Sequence, residues 1–233
     1  MSKVELVSKT SGVNKYKDLN SEEIIAAIAR HGIIKEDNGK LVKYLMDQRH
    51  MSPLDMVNFT FEIETSRAIG RQILRHASIK FQEHSKRYSD EVSFESIELR
   101  KEHPTNRQSS VGIIGTIKIS KEGWEFEGDY NHKKSYSAIV KASDALVRIE
   151  EAYFKMLEAG VAKECARMIL PECTTSTLSA NGTLRSWLSF LNVRLDHHAQ
   201  KEVRLIAEEI ADKLVEEMPN IFKNIDWKNG MFL

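Results

Sequence analysis

Polar and charged side chains recur at helical spacing shortly before residue 80, among apolar neighbours. Gln72, Arg75 and His76 stand at positions i, i+3 and i+4, so a helix would present them on one face. Ile69 and Ile73 are four residues apart and can hold an adjacent face of that helix to the core. Because the planar fork of arginine suits phosphate, the polar face is a candidate site for an anionic ligand.

A second polar set follows within a few residues. If the chain is extended there, Glu83, Ser85 and Arg87 all point to one side. Arginine suits phosphate, whereas serine and glutamate suit sugar hydroxyls and base edges. The spacing alone leaves a second interpretation open, in which Arg75, Glu83 and Arg87 form a solvated ion-pair network.

The helix predicted from residue 184 onward carries a polar face opposite its apolar one. Arg185, Ser189 and Asn192 lie at i, i+4 and i+7, and Arg194 falls just beyond, near the C-terminal end. The apolar stripe on the other side consists of Leu184, Trp187, Leu188 and Leu191. A helix with an ordinary solvated side is the alternative interpretation.

Covalent catalysis by a cysteine or serine is not indicated. The two cysteines, Cys165 and Cys173, are too few for a disulfide framework, and we expect structural rather than nucleophilic roles for them. Ser85 has no histidine placed by spacing as its base, so we interpret it as a ligand.

Composition and charge narrow the class of protein. Hydrophobic residues make up 41% and charged residues 29% of the 233 residues, which is typical of globular proteins. The formal net charge of +0 lacks the basic surplus of a general nucleic-acid binder, although a local basic cluster can hold one small phosphate ligand. No pattern indicates a metal site. Because the chain shows neither a signal peptide nor a membrane span, we expect a cytoplasmic protein without a membrane partner.

Apolar periodicity predicts the strands and helices that must position these side chains. Val57, Phe59, Phe61 and Ile63 alternate with polar residues and predict the clearest strand, with a shorter one near Val4. Further helices are predicted at about residues 41–46, 66–76, 138–157, 162–170 and 198–217.

Capping residues fix the start of two predicted helices. Asn20 can cap a helix with Glu23 in the reciprocal position, and this helix ends at Gly32. Ser52 is predicted to cap another, with Pro53 at its first position.

The remaining segments are read as irregular structure or short strands. Residues 174–179 are expected to be extended, with a turn at Asn181-Gly182. Residues 90–132 are interpreted as an insertion or mobile loop, in which residues 112–126 could form a hairpin. Because no repeats or linkers occur, residues 1–233 are predicted to form a single α/β domain.

Several of these segments together resemble one known family. The run from Arg75-His76 to Glu83-x-Ser85-x-Arg87-Tyr88 resembles the signature of flavin-dependent thymidylate synthases. Further segments resemble the same family in the same order: Ser52-Pro53 with Phe-Thr-Phe-Glu at 59–62, Cys-Ala-Arg-Met-Ile-Leu-Pro at 165–171, and a block at 184–202. The likeness covers most of the chain apart from about residues 90–132.

The resemblance implies both an architecture and a reaction. It implies a homotetramer with a mixed, mainly antiparallel sheet flanked by helices, in which each active site is built from more than one subunit. The implied reaction is the reductive methylation of deoxyuridylate (dUMP) to thymidylate (dTMP). Methylenetetrahydrofolate would supply the carbon, and NADPH would reduce a bound FAD.

The resemblance also assigns site residues. Those implied for dUMP are Gln72, Arg75, Glu83, Ser85, Arg87, Arg167 and Arg194. Those implied for FAD are Ser52, Arg75, His76, Ala77, Glu83, Thr183, Arg185 and Ser189, with His50 and His198 as further candidates. Arg194 matches the catalytic residue that ionises the uracil N3–H, and reduced flavin replaces a cysteine thiolate as the source of reactivity.

The chain departs from the family pattern beside the flavin residues. Ala77 stands where the family usually has a second arginine, Lys80 where serine or histidine is more common, and Leu-Asp-Met at 54–56 replaces Phe-Glu-His. If the helix continues past His76, Lys80 lies about one turn from Ala77 and could partly return the missing charge; otherwise Lys80 points to solvent.

Two further functional interpretations remain open at this point. One is an enzyme of the same fold that modifies another pyrimidine nucleotide such as UMP, or delivers a different one-carbon group. The other is a nucleotide-binding homologue with an impaired flavin site.

Overall fold

The alternating residues after Val57 form a central strand of a four-stranded sheet. The strands run in the order β1 (Lys3–Lys9), β2 (Asn58–Ser66), β7 (Thr175–Thr183) and β3 (Lys80–Glu83). Phe59, Phe61 and Ile63 are fully buried on one face of β2, and the β1–β2 and β3–β7 pairs are antiparallel. Both strands predicted in this part of the sequence are confirmed.

The computed structural model describes residues 2–35, 38–85, 92–106, 109–120, 123–128 and 133–222. Within them the helices are α1 (Ser21–Ala29), α2 (Asn38–Asp47), α3 (Arg67–Ile73), α4 (Lys133–Glu158), α5 (Lys163–Ala166), α6 (Leu184–Arg194), α7 (Lys201–Glu217) and α8 (Pro219–Phe222). Helix α1 starts at the predicted capping box, in which Asn20 Oδ1 accepts from the Glu23 N–H at 3.0 Å and Glu23 Oε2 accepts from the Asn20 N–H at 2.8 Å. No helix among these residues is long and apolar enough to cross a membrane.

The chain forms two compact units. One consists mainly of Thr65–Gly70 and His84–Ser176, and the other of Ser2–Glu64, Arg71–Glu83 and Thr177–Leu233. In the second unit α6 packs on α7, and the buried Trp187 donates from Nε1 to the Phe59 carbonyl at 3.1 Å. Burial of the α6 stripe against β2 therefore fixes the direction in which the polar side of α6 faces.

The first unit contains a sheet where the sequence was interpreted as a loop. Strands β4 (Ile97–Glu102), β5 (Ser110–Ser120) and β6 (Gly123–Gly128) form an antiparallel sheet in that order, and α4 packs on β6. The predicted hairpin is confirmed as β5–β6, whereas the loop interpretation is wrong for these strands. Strand β4 was not predicted because it has few apolar residues, and in the fold its polar residues include the 2.7 Å Arg100–Glu98 ion pair.

Two local predictions fail for steric and geometric reasons. The turn predicted at Asn181-Gly182 lies inside β7, and a Cβ on Gly182 would come within 3.2 Å of Ile79. This glycine therefore serves close packing in a strand rather than a turn. Ser52 is not a cap, because it belongs to the 3₁₀ helix Ser52–Met56, whose preceding residue Met51 makes no side-chain cap.

Helix boundaries also differ from the prediction. The helix predicted to reach His76 ends at Ile73, the one predicted for 162–170 becomes α5 followed by the 3₁₀ turn Arg167–Ile169, and the last one begins at Lys201. Because α3 ends before Ala77, the helical spacing assumed between Ala77 and Lys80 does not exist. Lys80 instead opens β3 opposite Asn181.

Candidate active site

Three of the predicted site residues, Thr183, Arg185 and Arg194, lie at the two ends of helix α6. Thr183 precedes the helix as its N-cap, accepting from the Ser186 N–H at 3.2 Å, and Arg185 follows in the first turn. Arg194 is the last residue of the helix. At a rise of about 1.5 Å per residue, the Arg185 and Arg194 backbones lie roughly 13 Å apart along the axis.

At the C-terminal end of α6, Arg194 lies close to Gln72 of α3 and to Arg75 and His76, which follow that helix. We call Gln72, Arg75, His76, Arg194 and Gln200 the Arg194 cluster. Arg194 Nη2 donates to the Gln72 carbonyl at 2.6 Å, and the Gln72 side-chain amide donates to Gln200 Oε1 at 2.7 Å. The contact fixes the half-buried guanidinium against the end of α3.

The Arg194 guanidinium retains unused hydrogen-bonding capacity. Its Nε is buried and finds no hydrogen-bond partner among the residues that the structure describes. Burial, and then the positive charge of Arg75, lower the pKa of Arg194. A half-buried guanidinium with an unpaired Nε–H beside a second cation can bind an anion or a polar acceptor.

His76 adds an uncharged imidazole to this cluster. Burial is the main cause that lowers the pKa of His76, the charge of Arg194 lowers it further, and a hydrogen bond with the Ser186 backbone opposes both. Its ring packs edge-to-face on Phe190, with centroids 5.5 Å apart. The neutral ring can therefore line a ligand site without repelling the neighbouring guanidinium groups.

A second polar group surrounds the N-terminal end of α6. We call His50, Ser52, Asp55, Thr183 and Arg185 the Arg185 cluster. Arg185 Nη1 pairs with Asp55 Oδ2 at 3.1 Å, and the Thr183 hydroxyl donates to Asp55 Oδ1 at 3.0 Å. One carboxylate thus orients two residues that the resemblance assigns to FAD.

An open concavity of about 550 Å³ lies beside this cluster. Its walls are formed by Ala29, Leu45, Arg49, His50, Met51, Ser52, Pro53 and Arg185. Three residues predicted to contact FAD, namely His50, Ser52 and Arg185, therefore share one cavity. Its size and its mixture of apolar walls with a few polar groups are typical of cofactor sites.

Other predicted residues lie outside these two clusters. Glu83 ends β3 with an exposed side chain, Ala77 is exposed in the turn after α3, and Ser189 is half-buried on α6. His198 is exposed, and its Nδ1 lies 2.8 Å from Asp196 Oδ1. Ser85 and Arg167 belong to the other compact unit, and Arg87 lies outside the described residues.

Three residues of these surroundings were missed as site residues at the sequence level. Asp55 stood in the tripeptide that departs from the family pattern, and Gln200 stood in the block that resembles it, but nothing in their spacing showed what they contact. Arg49 gave no sequence signal, because its place in the cavity wall depends on how α2 ends.

Comparison with known proteins identifies the fold first. The UMP/dUMP methylase PolB from Streptomyces cacaoi, solved with 5-Br UMP, superposes with a TM-score of 0.70 over 96% of this chain and 92% of that one. At 23% identity, the likeness establishes a shared mixed α/β fold with antiparallel sheets flanked by helices.

Sequence comparison then identifies the family. The family described as "Thymidylate synthase complementing protein" matches residues 7–220, so the chain belongs to it, as the motifs predicted. The flavin-dependent thymidylate synthase of Synechocystis sp. is 35% identical over 212 residues, covering 90% of this chain and 91% of the relative. A probable flavin-dependent thymidylate synthase of Paramecium bursaria Chlorella virus 1 is 32% identical, covering 89% and 91%.

Proposed function

We propose that this protein is a flavin-dependent thymidylate synthase that methylates dUMP to dTMP reductively. Methylenetetrahydrofolate would supply the carbon, and NADPH would reduce the bound FAD. Family membership and near full-length similarity to relatives with this name support the proposal. The single structural observation that carries it is the half-buried Arg194, with its unpaired Nε, beside Gln72 and Arg75, two other residues predicted to bind dUMP.

The Arg194 cluster has the groups that a pyrimidine nucleotide requires. Gln72 and Arg75 can hold carbonyl or phosphate oxygens, and Arg194 would face the uracil ring. A cation close to the uracil N3–H lowers the pKa of that group, because it stabilises the ionised base. Since this interaction strengthens as the charge develops, it accelerates the reaction rather than merely binding the substrate. Glu83, Ser85, Arg87 and Arg167 are further dUMP ligands in this proposal.

The Arg185 cluster and the adjoining cavity fit a dinucleotide. A guanidinium, an imidazole and hydroxyl groups can bind phosphate and ribose, and Leu45, Met51 and Pro53 offer apolar contact for a ring. FAD would be held here by His50, Ser52, Thr183 and Arg185, and by Arg75, His76, Ala77, Glu83, Ser189 and His198 elsewhere. When bound, the flavin supplies the reducing equivalents for the methylation.

The active unit in this proposal is a homotetramer with shared sites. The substrate groups and the cavity lie at opposite ends of α6, roughly 13 Å apart along its axis. As the resemblance to the family implies, a neighbouring subunit completes each site in this proposal.

Turnover of dUMP tests the proposed reaction. Purified protein with FAD, NADPH and methylenetetrahydrofolate should convert dUMP to dTMP. Arg194→Ala should lower kcat by roughly a hundredfold or more, because a charge-assisted contact worth about 1.5–3 kcal/mol in binding grows during the reaction. Arg71→Ala, which removes an exposed arginine from α3, is the control and should stay within about twofold of the original protein.

The same assay separates the alternatives. Absence of dTMP under all conditions would refute the activity, and a raised KM with normal kcat for Arg194→Ala would refute its activating role. Methylation of UMP in preference to dUMP would indicate the other pyrimidine methylase, a possibility supported by the described activity of PolB on both nucleotides. Binding of dUMP without uptake of FAD would indicate a homologue with an impaired flavin site.

A further inference from the structure

Helix α2 ends with an arginine in a backbone conformation that glycine normally adopts. The His50 N–H donates to the Leu45 carbonyl at 2.8 Å and the Arg49 N–H to the Met46 carbonyl at 2.9 Å, which together define a Schellman motif. Arg49 occupies its left-handed position with φ 57. Because a Cβ is unfavourable there, arginine destabilises the turn relative to glycine.

The same motif ends two other helices of this chain. At the end of α1, His31 occupies the left-handed position with φ 56, and at the end of α4, Gly160 occupies it with φ 83. Both helices show the same pair of hydrogen bonds, from Gly32 to Ala27 and His31 to Ile28, and from Val161 to Met156 and Gly160 to Leu157. The turn therefore forms with either glycine or a non-glycine residue in this chain, so the backbone by itself does not call for arginine at position 49.

Arg49 differs from His31 in what lies around it. It lines the 550 Å³ concavity together with His50, Ser52 and Arg185. Arg185 is already engaged by Asp55, which neutralises part of its charge. Within the described part of the chain, no hydrogen bond or ion pair engages the Arg49 guanidinium.

We propose that Arg49 is a cofactor-binding residue, whose guanidinium binds the pyrophosphate of FAD in this concavity. The inference rests on the proposed function, because it takes FAD as the ligand. The planar guanidinium pairs with phosphate oxygens through two parallel hydrogen bonds, and pyrophosphate is the anionic part of FAD. Binding to the cofactor offsets the unfavourable backbone conformation of residue 49, whose side chain lines the concavity.

Three substitutions at Arg49 separate its charge from its backbone. Arg49→Gln removes the charge and keeps a long stem, and should raise the Kd for FAD by roughly 10–100-fold, the loss of one charge-assisted contact. Arg49→Lys keeps a point charge and should retain most of the affinity. Arg49→Gly should weaken FAD binding as much as Arg49→Gln, while the Tm of the apoprotein stays the same or rises.

The matched control is His31→Gly, which relieves the same backbone conformation at the end of α1. It should leave the Kd for FAD unchanged and the Tm unchanged or higher. Binding is measured by quenching of flavin fluorescence at low and high salt, and Tm by circular dichroism. The affinity difference between the original protein and Arg49→Gln should shrink at high salt, because screening weakens charge interactions.

The outcomes distinguish this inference from the proposed function. Normal FAD binding by Arg49→Gln, or equal weakening by Arg49→Gly and His31→Gly, would overturn the role of Arg49 and leave the proposed function standing. If Arg49→Gln binds FAD more weakly than the original protein, but by the same factor at low and high salt, the assignment to the pyrophosphate is overturned. Failure of the original protein to bind FAD would instead overturn the proposed function.

Discussion

Arg194 and His76 illustrate how single residues prepare the proposed substrate site. The guanidinium is held by the Gln72 carbonyl, and burial together with neighbouring cations disfavours extra positive charge in this cluster. His76 therefore favours its neutral form, and an arriving anion meets the charges of Arg75 and Arg194. A nucleotide phosphate or an ionised base relieves the electrostatic cost of this arrangement.

The lowered pKa of His76 should make stability depend on pH. The unfolded chain has an ordinary histidine pKa of about 6.5, so below this pH it binds a proton that the folded protein resists. The free energy of unfolding should therefore fall as the pH drops below about 6.5, until the folded pKa is passed. Urea denaturation between pH 8 and pH 5, about the histidine range, measures this change.

His76→Gln should reduce that pH dependence, because glutamine does not titrate. His197→Gln is the control, since His197 has a side chain that is 81% exposed. If the original protein and His76→Gln lose stability in parallel, the pH dependence belongs to other groups.

Cys173 should be far less reactive than an ordinary cysteine. Burial raises its pKa to about 11, and only 9% of the residue is exposed, whereas Cys165 is exposed. At pH 8 the thiolate fraction of a thiol with this pKa is about a hundredfold below that of a free cysteine. Ellman's reagent should therefore titrate one thiol quickly in the folded protein and two after denaturation.

Cys165→Ser provides the check on this assignment. Its folded form should show no fast thiol, while the denatured form shows one. Rapid modification of the remaining thiol would mean that Cys173 is accessible and ionised, contrary to its burial.

At the scale of elements, α6 relates the two clusters. Its apolar stripe packs against α7 and, through Trp187, against Phe59 and Phe61 of β2. The core therefore fixes the orientation of the helix, and polar contacts fix its ends. The Thr183 hydroxyl makes two hydrogen bonds at the start of the helix: it accepts from the Ser186 N–H and donates to Asp55. A residue assigned to the cofactor thus also starts the helix that carries Arg194.

Thr183→Ala should destabilise the protein through the loss of this cap. We expect the free energy of unfolding to fall by about 1–2 kcal/mol, whereas Thr183→Ser should stay within about 0.5 kcal/mol. Asp55→Ala should cost about 1 kcal/mol or less, since Arg185 is 53% exposed and the Thr183 cap persists. Urea denaturation of the three variants measures these differences, and an unaffected Thr183→Ala would show that the hydroxyl does not stabilise α6.

At the scale of the whole molecule, shared sites predict complementation between inactive variants. Arg185→Ala impairs the proposed cofactor site, and Arg194→Ala the proposed substrate site. If each active site combines these parts from different subunits, hybrid oligomers of the two variants contain some sites with both arginines intact. Mixing the variants after partial unfolding and refolding should therefore recover a part of the original activity.

Each variant refolded alone is the control and should remain inactive. Mass spectrometry should show whether hybrid oligomers have formed. If they have formed and the mixture gains no activity, each subunit contains a complete site.

Much of the fold could be predicted where the pattern is local. The alternation in β2, the capping box at Asn20 and the stripe of α6 involve residues two to four apart, and each forms as predicted. The motifs likewise identified the family, and the structure brings Gln72, Arg75, His76 and Arg194 together. Placement of Ser85, Arg87 and Arg167 in the site stays a prediction.

The failures share a physical cause. The Asn181-Gly182 pair predicted a turn, but Gly182 lies in a strand and leaves room for Ile79. Ile79 is about a hundred residues away in the sequence, so local spacing could not reveal this contact. Strand β4 has few apolar residues on which a periodicity could be based, and its pairing with β5 supplies the stability that composition does not show. Because α3 ends at Ile73, Ala77 and Lys80 do not share the helix face that the sequence spacing had suggested.

The sequence by itself therefore determined the main helices and strands, the family and most of the residue types at the proposed sites, because these depend on spacing along the chain. Tertiary structure decided which of those residues meet. Arg194 reaches a carbonyl 122 positions away, and Asp55 holds an arginine 130 positions away. Such contacts between polar groups leave no periodic trace, since a polar side chain looks the same in a sequence whether it faces solvent or a partner. The unpaired Nε of Arg194 and the left-handed Arg49 consequently became visible only in the folded chain.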